Sequence, residues 1–286
     1  MTAMNPGRRS AHHGIALVAV LWMVAALSVM ALGLVHVSRK EAQKVGVSVQ
    51  SLKARAMGEA GIQLALQNIK ARQVPVDRLI EAVWSYDGAS LPVTIQPLNG
   101  LISLNNAPKE LLISTLVIGA QVEKSTAEIM ASTIVKQRST LDARGVPIGF
   151  EALEELLNVP WVTYDVYAKL KPLLTSDVMG SGRVNPLAAK QDVLLVLAEG
   201  NAQLATQLSA KRDAGLVGID FTGLTANFLE SGPSQKIKLD AVVGLPDGSN
   251  LVVSRSVDLN PGIRGALPWR TFGVDQRLEV SAQMRR

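Results

Sequence analysis

The chain has 286 residues, 48% of them apolar and 19% charged, which suits about two ordinary domains and excludes wholesale disorder, collagen and low-complexity sequence. It has no cysteine, so disulfides, iron–sulfur clusters, zinc–thiolate sites and thiol nucleophiles are excluded. The formal net charge of +5 hides a sign change: residues 1 to 97 carry +5, 98 to 231 carry −3 and 232 to 286 carry +3.

No concentrated basic stripe of the kind that follows a phosphate backbone is present, so no nucleic-acid partner is expected. The three histidines are His12, His13 and His36. Everything from Val37 onward therefore lacks the imidazole that a Ser/His/Asp triad, a histidine-bound metal or an HExxH protease needs, and the chain is expected not to be an enzyme.

From Ile15 to His36 run 22 residues without Asp, Glu, Lys or Arg, about 33 Å as a helix and enough to cross a bilayer. An ordinary secretory signal is the alternative, with Arg8 and Arg9 as its basic region and Ala31-Leu32-Gly33 as its small-residue cleavage site. The run is longer than such a signal's apolar core, and its helical pattern continues past Gly33. No proline interrupts Arg39 to Gln73, so one helix is expected from Ile15 to Gln73. In its second half Val45, Val49, Leu52, Ala56, Ala60, Leu64 and Ile69 read as a one-sided apolar stripe. Gly46, Gly58 and Gly61 are expected to weaken that helix, and Pro75 to end it.

Alternation over Val93-Thr94-Ile95-Gln96 predicts a strand, after a turn at Tyr86-Asp87-Gly88. Lys236 to Ala241 and Leu251 to Val257 alternate on either side of Leu245-Pro246-Asp247-Gly248-Ser249, a hairpin with Asp-Gly turn chemistry. The natural partner for the amphipathic helix is this small antiparallel sheet, its strands drawn from both sides of a long insertion.

The insertion, 98 to 231, reads as nearly all helix and carries an internal repeat. Gly100 to Leu112 aligns without gaps on Gly182 to Leu194. Each copy runs on to a basic pair ahead of a phenylalanine, Lys136 and Arg138 before Phe150 and Lys211 and Arg212 before Phe221. Phe150 to Leu170 has the layout of a helix-hairpin-helix, but its turn, Pro160-Trp161-Val162-Thr163, lacks the glycines whose N–H groups grip a phosphate. A structural role is expected, with Thr163 or Asp165 capping the second helix. Glu151 and Glu155 share a helix face but read as solvated rather than catalytic. Asp177 and Asp247 could serve calcium, though no EF-hand loop is present. Trp84, Trp161, Trp269 and Tyr86 read as core or interface residues.

Arg8-Arg9-Ser-Ala-His-His-Gly14, followed by Ile15-Ala-Leu-Val-Ala-Val-Leu-Trp22 and the long helix, resembles the class III signal of type IV pilins and type II secretion pseudopilins. The resemblance implies that a prepilin peptidase cuts between Gly14 and Ile15 and that Ile15 is then N-methylated. Most members carry a glutamate as the fifth mature residue, where this chain has Ala19. One pseudopilin subtype, general secretion pathway protein K, lacks that glutamate. The Gly100 to Leu112, Phe150 to Leu174 and Gly182 to Leu194 stretches are similar to its pattern.

The implied fold is α+β: a pilin-like long N-terminal helix packed on a small antiparallel sheet, with a large all-α domain inserted as two SAM-like or helix-hairpin-helix-like units. The implied segments are a cleaved leader 1–14, a transmembrane stretch 15–37, the helix and first strands of the head 38–97, the insertion 98–231 and the last strands 232–286. The implied role is a minor pseudopilin at the tip of the periplasmic pseudopilus, anchored once in the inner membrane with its C-terminal domain in the periplasm. Implied partners are the I and J minor pseudopilins, the major pseudopilin, the prepilin peptidase, the inner-membrane assembly platform and membrane lipid. No cofactor is certain; some members bind calcium, and some carry a disulfide that this chain cannot form. A type IV pilus minor pilin and, further off, a DNA-uptake membrane protein are the alternatives.

Overall fold

The computed structural model describes residues 12–177, 180–260 and 268–279, with side chains at 17–28, at 30 and from 49 onward within those ranges. The chain forms two compact units, residues 1–53 and 54–286, and helix α1 (His12–Arg72) contributes to both. In the first unit the described apolar side chains, among them Leu17, Val20, Leu21, Trp22 and Met30, are all more than half exposed.

In the second unit Ala54–Arg72 packs on a five-stranded antiparallel sheet made of β1 (Ile80–Tyr86), β2 (Ala89–Pro97), β5 (Lys236–Gly244), β6 (Asn250–Asp258) and β7 (Arg270–Glu279), in the order β1-β2-β5-β6-β7. The strands β3 (Ile102–Ser103) and β4 (Leu174–Thr175) form a separate parallel pair. Period-2 alternation sorts the side chains of β5. Ile237, Leu239, Ala241 and Val243 face the α1 core, and Lys238 and Asp240 take the opposite face. The Asp247-Gly248 turn joins β5 to β6 as the sequence predicts, with Gly248 at φ +80°.

The buried stripe of α1 is not the one read from apolar spacing. Ala54, Gly58, Gly61, Ile62, Ala65 and Leu66 are buried, while Val49, Leu52 and Ala56 are exposed. Ile62 and Leu66 bury large side chains here, but at Gly58 and Gly61 the helix lies too close to the sheet for them. A Cβ on Gly58 would stand 2.6 Å from Val253 Cγ2, and one on Gly61 3.3 Å from Val93 Cγ2. Two of the glycines expected to weaken the helix, Gly58 and Gly61, are its seat on the sheet; the surroundings of Gly46 lie outside the described residues. Ile62 and Leu66, fully withdrawn from water, each contribute about 1.5–3 kcal/mol of burial.

Between β2 and β5 the chain builds a second core around Leu104, Leu111, Met130, Phe150, Leu170 and Leu194. This region is not nearly all helix: short helices α2 (Lys109–Ser114), α3 (Lys124–Arg138), α4 (Tyr164–Leu170), α5 (Gln191–Leu197) and α6 (Ala202–Asp213) alternate with loops and 3-10 turns. The first arm of the expected helical hairpin is itself a 3-10 helix, Leu153–Asn158.

The internal repeat holds in space. The helix α2 begins nine residues after Gly100 and α5 nine residues after Gly182. Ile102 pairs in parallel with Leu174, and its counterpart Val184 in parallel with Leu229. A Cβ on Gly100 would strike the Ala188 carbonyl oxygen at 2.2 Å, and one on Gly182, at φ +78°, the Asn106 carbonyl oxygen at 2.0 Å. Asn106 and Ala188 occupy the same place in the two copies, so each copy's leading glycine is fitted to the other copy. The two units share one continuous core rather than holding one each.

Candidate functional site

A short segment, Asn185 to Lys190, fastens the insertion to the head. The Asn185 backbone N–H donates to the Asn99 carbonyl at 2.7 Å, and its Nδ2 to the carbonyls of Asp77 and Gly232 at 2.7 and 3.0 Å. Leu79 N–H donates to the Leu187 carbonyl at 2.9 Å, and Gln96 Nε2 to that of Ala188 at 3.3 Å. Lys190 Nζ ends the series 3.2 Å from Asp240 Oδ2.

Asp240 is 5% exposed on the polar face of β5. Its Oδ1 accepts from Ser254 Oγ at 2.6 Å and lies 3.9 Å from Lys238 Nζ. Burial pushes this carboxyl up, but Lys238, Lys190 and the Ser254 hydroxyl together outweigh it and hold the group below the usual carboxylate range. Between this face and the insertion opens a cleft of about 570 Å³. At its rim Lys171 Nζ bridges Glu154 at 3.6 Å and Asp275 at 3.5 Å, and Tyr167 Oη donates to Glu154 at 2.8 Å. Burial, then the Glu154 carboxylate, raises the Tyr167 phenol; the Tyr167 hydrogen bond lowers Glu154.

The residues singled out in the sequence are scattered. Gly14 and Ile15 lie in α1, but their side chains, like those of residues 16, 29 and 31–36 of the apolar run, are outside the described residues. Among the described residues no helix is long and apolar enough to cross a membrane. Glu155 Oε1 accepts from the backbone N–H groups of Glu151 and Ala152 at 3.0 Å, and is a cap. Thr163 caps α4 through Val166 N–H.

For calcium the donors do not fit. Asp177 pairs with Lys236, Asp247 accepts from the Ser249 N–H and hydroxyl, and no three His, Asp or Glu side chains cluster among the described residues. The basic pairs serve their own units. Arg138 donates to the Leu104 carbonyl at 3.1 Å, and Arg212, 6% exposed, to that of Ala189. Trp84 and Trp269 pack on the sheet core, whereas Trp161 and Tyr86 are exposed. Sequence reasoning did not find Lys238 and Asp240 as a pair. Their only signal is two charges two residues apart in an alternating strand.

No protein-family model matches the chain, and no curated protein matches it. Among solved structures it is similar to the GspK-GspI-GspJ complex of the enterotoxigenic Escherichia coli Type 2 Secretion System, with 16% identity over 84% of this chain and 99% of that chain and a TM-score of 0.45.

Proposed function

We propose that the chain is a minor pseudopilin of the type II secretion system, the K-type subunit that starts and caps the periplasmic pseudopilus. The observation that carries this reading is Gly14-Ile15 at the head of an apolar run that α1 continues, together with the seating of Ala54–Arg72 on an antiparallel sheet. The charge-free run supports membrane residence; in this role the protein crosses the inner membrane once, with the sheet and insertion in the periplasm.

Ala19 supports the cap position. A subunit without an acid there cannot neutralise the methylated N-terminus of a subunit ahead of it, and the first subunit in line has none ahead. The insertion of more than a hundred residues between β2 and β5 would crowd a regular filament wall, whereas a tip leaves it room. In this role the I and J minor pseudopilins and the major pseudopilin are binding partners, the prepilin peptidase acts at Gly14–Ile15, and the chain performs no catalysis.

The N-terminus of the native protein extracted from membranes tests the reading by intact mass and terminal peptide sequencing. A methylated Ile15 is expected; a start near Leu34, or a retained Met1, would overturn it. Deleting the gene should then leave secreted enzymes in the periplasm. Loss of surface pili with secretion intact would instead make the chain a type IV pilus minor pilin.

A further inference from the structure

Lys238 is the charged group of the polar sheet face that the fold leaves least well paired. Its side chain is 26% exposed, and the closest carboxylate oxygen among the described residues is Asp240 Oδ1 at 3.9 Å. Asp240 is already occupied by Lys190 at 3.2 Å and by the Ser254 hydroxyl at 2.6 Å. A second cation therefore stands beside a carboxylate that one cation already neutralises. Burial first, then the nearby Lys190 and Arg277 charges, hold the Lys238 ammonium below the ordinary lysine range despite the pull of Asp240 and Asp275. A largely desolvated ammonium without a short acceptor favours any anion that reaches it.

Lys238 lines the 570 Å³ cleft, whose walls include Leu98, Leu101, Phe150, Leu174 and Phe272. The lining is about half apolar and half polar, with Ile148, Phe272 and Val274 the exposed apolar residues, and clefts of this size hold small molecules. Ser256 stands opposite Lys238 in the β5–β6 register and also lines the cleft, a second donor beside the ammonium. The lining also carries Glu151, Glu154, Asp177 and Asp275, of which Glu154 and Asp275 share Lys171 and Asp177 pairs with Lys236; acids outnumber cations around Lys238, so a second negative charge on the ligand adds repulsion.

We propose that this cleft binds a small monocarboxylate with an apolar body, its carboxylate on Lys238 and Ser256 and its body against Leu98, Leu101 and Phe272. The free C-terminus of a peptide and a short fatty acid both offer that chemistry. The site stands on residues of the 54–286 unit alone and does not depend on the secretion reading.

The test is ligand-observed NMR on the full chain in non-ionic detergent, with N-acetylphenylalanine, its amide, hexanoate and phenylsuccinate as probes. The monoacids are expected to bind, with the amide and the dianion weaker by on the order of tenfold, the worth of one charge-assisted hydrogen bond. Tighter binding of N-acetylphenylalanine than of hexanoate would assign the site to peptide C-termini, and the reverse order to fatty acids. In Lys238→Met, measured below its own thermal midpoint, which should fall because Lys238 helps hold the Asp240 carboxylate, acid and amide should bind alike. Equal binding of acid and amide to the unaltered chain, which needs no variant to fold, would overturn the site. So would unchanged acid binding in Lys238→Met, or no binding by either monoacid.

Discussion

Replacing Gly58 by alanine sets two opposed effects on one atom. In a helix interior Ala is better than Gly by about 1 kcal/mol, so the exchange should stabilise α1 wherever there is room. At Gly58 there is none. The new Cβ would meet Val253 Cγ2 at 2.6 Å and Val253 Cβ at 3.0 Å, and Val253, 1% exposed in the middle of β6, has no free space to enter. Overpacking of this kind costs about 1–3 kcal/mol. Taking about 2 kcal/mol against the gain of about 1 leaves a net loss of about 1 kcal/mol, or about 3 °C in a unit of this size. Gly61→Ala is the control on the same helix. Its Cβ would stand 3.3 Å from Val93 Cγ2 and 3.4 Å from Leu91 Cβ, contacts that a few tenths of an ångström relieve, so the helix gain survives and the midpoint stays level or rises. Thermal unfolding of the full chain followed by tryptophan fluorescence measures both. A midpoint for Gly58→Ala at or above that of Gly61→Ala would refute the close seating of α1 on the sheet.

Asp240→Asn should destabilise the second unit by about 1–2 kcal/mol, because it leaves Lys190 and Lys238, 36% and 26% exposed, facing a neutral side chain; a urea midpoint equal to that of the unaltered chain would contradict this. The folded carboxyl of Asp240 lies below its unfolded value of about 3.9. Its stabilisation is therefore complete above that value and lost as pH falls through it, and the acid limb of a stability–pH curve should flatten in Asp240→Asn. Asn185→Ala removes the donors to Asp77 and Gly232 and the acceptor for Leu187 N–H, at about 1–3 kcal/mol for each partner left unsatisfied. Hydrogen exchange should rise first at the Leu187 and Leu79 amides, and uniform exchange across the chain would argue against a local fastening. Gly14→Leu should leave the leader uncut, seen as a mass larger by residues 1–14; normal processing would refute the assigned cleavage site.

The hairpin of β5 and β6 was legible because both strands have one face in the α1 core and the other on the insertion side, so burial writes alternation into the sequence, and Asp247-Gly248 marks the turn. The outer strand β7 was not read, although Phe272, Val274 and Leu278 alternate with Gly273, Asp275, Arg277 and Glu279. All three apolar residues are substantially exposed, so on this edge strand the alternation does not report burial. The α1 stripe was misread for a related reason: spacing rules weigh large apolar residues, and here the closest contact belongs to Gly58 and Gly61. The repeat was legible in Gly100 and Gly182, and the cap in Thr163. The cleft was not, because Leu98, Phe150, Leu174, Lys238 and Phe272 come from five distant stretches that only the closed fold brings together.

The reciprocal fit of Gly100 against Ala188 and of Gly182 against Asn106 makes the insertion, in effect, a dimer written into one chain. A polypeptide carrying one unit could bury those surfaces only by meeting another copy of itself, since each glycine is shaped to a neighbour rather than to its own unit. The aligned stretches differ at most positions but share the two glycines, and any side chain at either place would drive the copies apart. An engineer dividing this region at its obvious midpoint would obtain two halves that each need the other to fold.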